Sequence, residues 1–327
     1  MKKPRILSGM RPTGRLHLGH LVGALDNWVR LQDEYECYYC VVDWHALTTH
    51  YDSTEGIREA IVDNTMDWLA AGLDPQRSTL FVQSHVIEHA ELHLLFSMIV
   101  PLPWLERVPT YKEQMTEIKE HDLNTYGFLG YPLLQSADIL IYKANAVPVG
   151  ADQVAHIELT REIARRFNNY YGPVFPEPQT LLTEVPKLPG TDGRKMSKSY
   201  RNTIALNERP AVMKEIVRNM VTDPARIRRT DPGNPDICPV GDYHDVFSGE
   251  KRVAEVDQGC RTAGIGCVQC KMWLFDSLRE RLGPLYERRQ ELESHPDDVI
   301  DILNEGSKKA KIVAGETMVE VRKAIKI

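Results

Sequence analysis

A regular alternation of short apolar runs and longer amphipathic stretches fills most of the first 203 residues of this 327-residue chain. The runs at residues 5–7, 38–42 and 79–82 suit buried strands, whereas residues 18–31 carry apolar side chains at helical spacing. Strands that are buried on both faces and joined through helices are typical of parallel sheets. The sequence therefore predicts an α/β fold with a doubly wound, Rossmann-like parallel sheet.

The alternation stops near residue 203, and this change predicts a domain boundary. Residues 1–203 form the predicted Rossmann-like domain, with a polar insertion at about residues 106–130. Residues 204–327 have a mostly helical pattern and form the predicted second domain. Within that domain, residues 238–270 are rich in glycine, proline and cysteine, which predicts a loop.

Charge and cysteine content exclude several classes of protein. With 40 basic and 46 acidic residues the net charge is −6, so any nucleic-acid contact must be a local patch rather than a basic coat. The longest apolar stretch, residues 92–105, is interrupted by polar residues and prolines and is too short to span a bilayer. No secretory segment stands out, and six cysteines do not make a disulfide scaffold in a chain this long. A cytoplasmic protein without a membrane partner is therefore expected.

The first chemical motif is His17, Leu18, Gly19 and His20, at the turn between the first strand and the first helix. A helix N-terminus offers backbone N–H groups to phosphate, and Gly19 leaves room for a base or ribose against the backbone. His17 and His20 lie three residues apart and can both donate to phosphate oxygens. The alternative interpretation is a surface histidine pair beside a turn.

The second chemical motif is the run Lys195, Met196, Ser197, Lys198 and Ser199, which follows a glycine-containing stretch. Two lysines three residues apart in a loop can close over a polyphosphate and neutralise the charge that develops during nucleotidyl transfer. The alternative interpretation is an ordinary solvated basic loop. Both motifs in one α/β domain are more specific than either motif alone.

Together the two motifs resemble the His-Ile-Gly-His and Lys-Met-Ser-Lys-Ser signatures of class I aminoacyl-tRNA synthetases, and the second is matched letter for letter. Residues 42–48, 81–85, 131–140, 147–153 and 156–161 resemble the corresponding segments of the tryptophanyl-tRNA synthetase family. Tyrosyl-tRNA synthetases share the architecture and are the nearest alternative. A small-metabolite nucleotidylyltransferase, which uses a similar first motif, is a more distant one.

The resemblance implies a two-step ligase that activates L-tryptophan with ATP and Mg²⁺ and then charges tRNA(Trp), in a family that is usually homodimeric. It gives the catalytic roles to His17, His20, Lys195 and Lys198. The implied ATP contacts are Arg11, Pro12, Thr13, Gly19, His20, Gly150, Ala151, Asp152, Val185, Lys195, Met196, Ser197, Lys198 and Ser199. Arg11 stands where many members of the family have glutamine, beside the α-phosphate.

The tryptophan contacts implied by the resemblance are Asp138, Tyr131, Gln153, His45 and Val147. Asp138 accepts the indole N–H in this scheme, and a buried acceptor that needs this donor rejects phenylalanine, which would leave it unpaired. Tyr131 and Gln153 hold the α-amino group, while His45 and Val147 line the indole pocket. The alternative for Asp138 is a helix N-cap, because it precedes an apolar helical pattern.

Four cysteines, Cys238, Cys260, Cys267 and Cys270, lie in the second predicted domain. Their spacing suits either tetrahedral zinc or an iron–sulfur cluster, and by itself it favours zinc. A subset of tryptophanyl-tRNA synthetases carries a 4Fe–4S cluster on a similar pattern, and residues 263–271 resemble that subset. The resemblance therefore favours 4Fe–4S over zinc and over unliganded thiols.

The sequence permits two interpretations for each of two further groups of residues. Arg226, Arg228 and Arg229 precede Cys238 and suit either anticodon contacts or a solvated surface. His85, His89 and His93 follow helical spacing, and an ordinary helix face is favoured over a metal site because no cysteine lies near them in the sequence.

Overall fold

The predicted doubly wound sheet is present. A computed structural model describes residues 3–118, 121–183, 188–197 and 200–327. Five parallel strands, in the order β3-β2-β1-β4-β5, form one sheet. They are β1 (Arg5–Met10), β2 (Glu36–Val41), β3 (Ser78–Val82), β4 (Ala146–Val149) and β5 (Gln179–Leu182). The strand order reverses between β1 and β4, where α/β sheets of this kind open a crevice.

Helices cover both faces of the sheet over the first predicted domain. A π-helical turn, Leu21–Leu25, joins α1 to α2 and makes them one continuous helical segment. The helices are α1 (Leu18–His20), α2 (Asp26–Leu31), α3 (Asp43–His50), α4 (Ile57–Ala71), α5 (Glu88–Ser97), α6 (Leu102–Glu106), α7 (Pro109–Glu117), α8 (Tyr126–Leu129), α9 (Tyr131–Ile141) and α10 (Val154–Tyr171).

Aromatic side chains fasten this helical segment to the sheet. Trp28 of α2 stacks on Tyr39 of β2, with ring centroids 4.6 Å apart, and meets Trp68 of α4 edge-on at 5.3 Å. The Tyr39 hydroxyl donates to the Trp28 carbonyl at 2.8 Å, so the polar atom of this buried ring is satisfied. Each such ring pair adds about 0.5–1.5 kcal/mol beyond area burial. The segment that carries the first motif is therefore held rigidly above β1 and β2.

The second predicted domain is helical, as the sequence pattern indicates. Its helices are α11 (Pro210–Asn219), α12 (Pro239–Phe247), α13 (Glu250–Arg261), α14 (Cys267–Ser294) and α15 (Pro296–Ile325). Helix α15 returns to the sheet and lies against the edge strand β3, where a Cβ on Gly306 would stand only 1.8 Å from the Leu80 carbonyl oxygen. The Val82 N–H donates to the Ser307 hydroxyl at 3.3 Å. The C-terminal helix thus covers the unpaired edge of the sheet.

The predicted loop at residues 238–270 is wrong, because most of this stretch is helical. Cys238 precedes α12, Cys260 lies in the last turn of α13, and Cys267 begins α14. The glycines and prolines that suggested a loop instead mark helix ends, with Pro239 in the first turn of α12 and Gly266 as the N-cap of α14. Turn-forming composition here reflects three closely spaced helix boundaries.

Helices α14 and α4 join the two predicted domains. One apolar cluster contains Leu25 and Trp68 from the first domain together with Leu274 and Leu278 from α14. Beside it, the buried Arg289 guanidinium donates to Asp67 at 2.6 Å. The domain boundary at residue 203 remains a prediction, since the core is shared across it. No helix in the described ranges has the length and apolar character that crossing a bilayer needs.

Candidate active site

A cavity of about 350 Å³ opens at the carboxyl ends of β1 and β4, where the strand order reverses. This is the position at which doubly wound sheets bind ligands. The residues that the sequence assigned to tryptophan and ATP and that line this cavity are Arg11, His45, Tyr131, Asp138, Val147, Gly150 and Gln153. They come from four separate parts of the chain, at residues 11, 45, 131–138 and 147–153, which the fold brings together.

Asp138 lies in the middle of α9 and is 2% exposed, so the N-cap alternative is wrong. One carboxylate oxygen receives a hydrogen bond from His45 Nε2 at 2.9 Å, and the other from His89 Nδ1 at 2.6 Å. Burial raises the pKa of Asp138, but the hydrogen bonds and the charge of the two imidazoles outweigh it and hold the pKa well below its usual range. An ionised carboxylate in a cavity wall is a strong acceptor for an N–H group.

Sequence reasoning missed two of the partners that orient this carboxylate. Gln83 donates through Nε2 to both oxygens of Asp138, at 3.0 and 2.8 Å. His89, assigned to an ordinary helix face, is fully buried, and its Nε2 lies 2.7 Å from the Tyr142 hydroxyl. Its spacing from His85 carried no information, because α5 begins only at Glu88. The signal that could have found Gln83 is its place directly after β3, at the binding edge of the sheet.

The first motif forms the start of α1, and its two imidazoles are 3.9 Å apart between centroids. His17 Nδ1 accepts the Gly19 N–H at 3.2 Å, and His20 Nδ1 accepts the His17 N–H at the same distance. A neutral imidazole has one proton, so these contacts place it on Nε2 of each ring. Both rings are thereby set as Nε2–H donors, the form that a phosphate oxygen requires.

The two sequence motifs meet in the structure. The Leu18 N–H donates to the Ile204 carbonyl at 3.0 Å, and the Leu206 N–H donates to the Leu16 carbonyl at 3.0 Å. A Cβ built on Gly19 would lie 3.2 Å from Met196 Sδ, which is tighter than ordinary contact. The backbone that follows the second motif thus pairs with the backbone that opens the first. A triphosphate at the start of α1 would lie next to the lysine-bearing loop.

The fold and the adjacency of the motifs agree with the comparisons to known proteins. A profile described as tRNA synthetases class I (W and Y) matches residues 1–283. The tryptophan–tRNA ligase of Thermotoga maritima is 58% identical, over 99% of this chain and 99% of its own length. This chain belongs to the class I tryptophanyl-tRNA synthetases.

Two more members of the family also match this chain over nearly its full length. The tryptophan–tRNA ligase of Ralstonia nicotianae is 48% identical, with 98% of each chain covered. The crystal structure of tryptophanyl-tRNA synthetase from Campylobacter jejuni, complexed with ADP and tryptophan, has a TM-score of 0.89 at 31% identity. It covers 99% of this chain and 100% of that one.

In this synthetase, Asn202 holds the second motif in place, and sequence reasoning did not identify it. Its side chain is 2% exposed, donates to Asp192 Oδ1 at 2.7 Å and to the Lys195 carbonyl at 3.1 Å, and accepts the Ser197 N–H at 2.8 Å. A Cβ on Gly190 would lie 2.0 Å from the Asn202 amide nitrogen, so only glycine fits there. The asparagine therefore fixes the backbone on both sides of Met196.

The remaining predicted ATP contacts follow residues that line the cavity without lining it themselves, or lie outside the described residues. Pro12 and Thr13 occupy the turn after β1, while Ala151 and Asp152 form a 3₁₀ turn that leads into α10. A Cβ on Gly150 would stand 2.8 Å from Asp152 Oδ1, so the lack of a side chain at Gly150 leaves room for the Asp152 carboxylate. Val185, Lys198 and Ser199 lie outside the residues that the structure describes.

The four cysteines approach one another around the start of α14. Burial, together with the charges of Cys238, Cys260 and Cys267, raises the pKa of Cys270 to about 12. Arg226 Nη1 lies 3.7 Å from Cys260 Sγ, and His244 Nε2 lies 3.5 Å from Cys270 Sγ. Within the described ranges, no three His, Cys, Asp or Glu side chains are arranged to hold a metal ion. The thiols are unpaired with one another.

Proposed function

We propose that this synthetase activates L-tryptophan with ATP, releasing pyrophosphate, and then esterifies the 3′-terminal adenosine of tRNA(Trp). The observation that carries the proposal is the buried Asp138 carboxylate in the wall of the cavity, which offers an acceptor to an indole N–H. The relatives above are tryptophan–tRNA ligases, so tyrosyl-tRNA synthetase is not favoured. A small-metabolite nucleotidylyltransferase would have no use for the long helical second domain.

In the activation step, the tryptophan carboxylate attacks the α-phosphorus of ATP, and the bond to the bridging oxygen of pyrophosphate breaks. No protein nucleophile is needed, so catalysis is positioning and charge neutralisation. His17 and His20 donate through Nε2 to phosphate oxygens, and Lys195 and Lys198 neutralise the leaving pyrophosphate. Mg²⁺ adds charge neutralisation on the triphosphate. In the second step, the 2′-hydroxyl of the terminal adenosine attacks the carbonyl of the adenylate and AMP leaves.

The assignments of single residues rest on the family resemblance, and the cavity supports those of the residues that line it. Asp138 selects the indole, His45 and Val147 line its pocket, and Tyr131 and Gln153 hold the α-amino group. ATP contacts are assigned to Arg11, Pro12, Thr13, Gly19, His20, Gly150, Ala151, Asp152, Val185, Lys195, Met196, Ser197, Lys198 and Ser199. Arg11 lines the same cavity as Asp138, which supports a phosphate contact beside the amino acid.

ATP–pyrophosphate exchange with single amino acids tests the activity. We expect rapid exchange with tryptophan. Exchange with tyrosine or phenylalanine should be slower by about a thousandfold or more, because neither amino acid supplies an indole N–H. Exchange that prefers tyrosine would overturn the specificity. No exchange with any of the three, together with intact folding, would overturn the synthetase activity.

We also propose that Cys238, Cys260, Cys267 and Cys270 hold a 4Fe–4S cluster. Four neighbouring thiolates repel one another, and a bound cationic cluster removes the repulsion that raises the pKa of Cys270. A single zinc ion with Zn–S bonds of about 2.3 Å needs all four sulfurs within roughly 4 Å of one another. The preference for the cluster over such a zinc site rests on the resemblance of residues 263–271 to the iron–sulfur subset of the family.

Iron content and absorbance test the cluster. Anaerobically purified protein should be brown, with broad visible absorbance that bleaches on reduction, and Cys267→Ser should lose iron and colour. Cys37→Ala is the control, because Cys37 is buried in β2, remote in sequence from the four. We expect cluster loss to weaken tRNA charging while tryptophan-dependent exchange persists, since the cluster fixes the anticodon-binding region. Colourless protein with stoichiometric zinc would contradict the proposal.

The anticodon contact is assigned to the basic surface beside the cysteines. Arg226, Arg228 and Arg229 line a concavity of about 530 Å³ together with Cys267 and Gln269. Guanidinium planes suit both phosphates and the unstacked bases of a single-stranded loop.

Protein synthesis takes place in the cytoplasm, and we propose that the enzyme works there.

We further propose that the chain acts as a homodimer. Leu94 of α5 and the two residues that flank this helix, Ile87 at its N-cap and Met98 at its C-cap, are spaced by seven and four residues. Each of them is more than half exposed, as is Leu102. Apolar side chains grouped on one surface favour burial against a second copy. Leu94→Asp should therefore turn a dimer into a monomer in sedimentation velocity, whereas Ile312→Asp on α15 should not. A parent protein that sediments as a monomer would contradict this proposal.

A further inference from the structure

A threonine hydroxyl connects the cavity tyrosine to a buried histidine. Thr110 of α7, Tyr131 of α9 and His156 of α10 are 8%, 9% and 2% exposed. Thr110 Oγ1 lies 3.0 Å from the Tyr131 hydroxyl oxygen and 2.6 Å from His156 Nε2. Tyr131 and His156 both line the cavity. The three side chains form one hydrogen-bonded row that ends at the ligand site.

The row permits two arrangements of its protons, because a threonine hydroxyl has only one. In the first, Tyr131 donates to Thr110, Thr110 donates to His156 Nε2, and the histidine proton sits on Nδ1. The Tyr131 oxygen then presents its lone pairs to the cavity. In the second, His156 Nε2–H donates to Thr110, Thr110 donates to Tyr131, and the tyrosine proton points elsewhere.

The surroundings of His156 permit the first arrangement, and an ammonium group in the cavity would select it. Burial lowers the pKa of His156 to about 4, so at neutral pH its Nε2 is able to accept. Its Nδ1 has no hydrogen-bond partner among the described residues, so no donor there forces the proton onto Nε2 and no acceptor there holds it on Nδ1. Burial also raises the pKa of Tyr131, which keeps its hydroxyl protonated and able to donate to Thr110.

We propose that Thr110 and His156 are positioning residues that set the Tyr131 hydroxyl as an acceptor for the α-ammonium group of tryptophan. An ammonium group has donors only, so it requires lone pairs from the tyrosine rather than a proton. This inference rests on the proposed function, because it takes tryptophan as the occupant of the cavity. Thr110 touches no reacting atom in this scheme and acts through Tyr131.

Calorimetric binding of two ligands to Thr110→Val tests the inference. The first ligand is L-tryptophan, and the second is indole-3-propionate, which keeps the indole and the carboxylate but lacks the ammonium group. Valine is isosteric but removes the hydroxyl, so the affinity for tryptophan should fall roughly tenfold, the size of a hydrogen bond to a charged group. The affinity for indole-3-propionate should stay the same. Thr110→Ser should restore tryptophan binding.

Thr65→Val is the matched control, because Thr65 is a buried helical threonine whose hydroxyl donates to the Ile61 carbonyl and does not line the cavity. Thr110→Val would overturn the proposal if it weakened the binding of both ligands equally or of neither. If Thr110→Val does not fold, His156→Leu takes its place, since it removes Nε2, the acceptor at the end of the hydrogen-bonded row. The results that support or overturn the proposal are then the same. A parent protein that does not bind tryptophan would instead refute the proposed function.

Discussion

Lys195→Ala should lower tryptophan-dependent ATP–pyrophosphate exchange by about a hundredfold to a thousandfold, the usual effect of removing one charge-stabilising group from a transition state. The loss should fall mainly on kcat, because the negative charge on the leaving pyrophosphate grows as the bond breaks. The main chain of Lys195 is held by Asn202, and the adjoining Met196 reaches Gly19 of the first motif. The backbone that carries the Lys195 side chain is thus held close to the start of α1.

Steady-state exchange with saturating tryptophan and varied ATP separates kcat from KM. Lys311→Ala provides the matched control, because Lys311 is an exposed lysine on α15 and should leave exchange unchanged. Normal exchange by Lys195→Ala would remove this loop from the mechanism. A rise in KM for ATP with unchanged kcat would show that the lysine binds the nucleotide without favouring the transition state.

Asp138→Asn should lower kcat/KM for tryptophan in the exchange reaction by about a hundredfold or more. The carboxylate accepts from Gln83, His45 and His89, and an amide NH₂ in its place would face donors rather than acceptors. The indole N–H would also lose its ionised partner. Discrimination against phenylalanine should fall together with the tryptophan activity, because a neutral amide replaces the ionised buried acceptor that penalises phenylalanine.

Exchange with tryptophan and with phenylalanine measures both effects. Asp301→Asn, at an exposed position on α15, is the matched control, and circular dichroism checks that both variants fold. Unchanged discrimination in a folded Asp138→Asn protein would mean that another group reads the indole nitrogen.

Local sequence patterns were sufficient for the sheet and for the position of the first motif at its carboxyl edge. Ile6 and Tyr38 lie in runs whose apolar character fits strands buried on both faces, and these strands became the adjacent β1 and β2. The glycine-containing turn after β1 had to lie at the carboxyl edge of the sheet, because helices follow strands there. The same reasoning was wrong at Cys260 and Cys267, where glycines at helix ends were interpreted as loop.

The linear order of residues in this chain is enough to specify a parallel Rossmann-like sheet, a helical second half and the two motifs, because each depends on periodicity or on a short contiguous run. Three-dimensional packing had to supply the partners of those motifs. Gln83 and His89 reach Asp138 across 55 and 49 positions of sequence, and Thr110 reaches His156 across 46. No local pattern encodes such contacts, since a buried polar side chain acquires its partner only when separate helices and strands close around it.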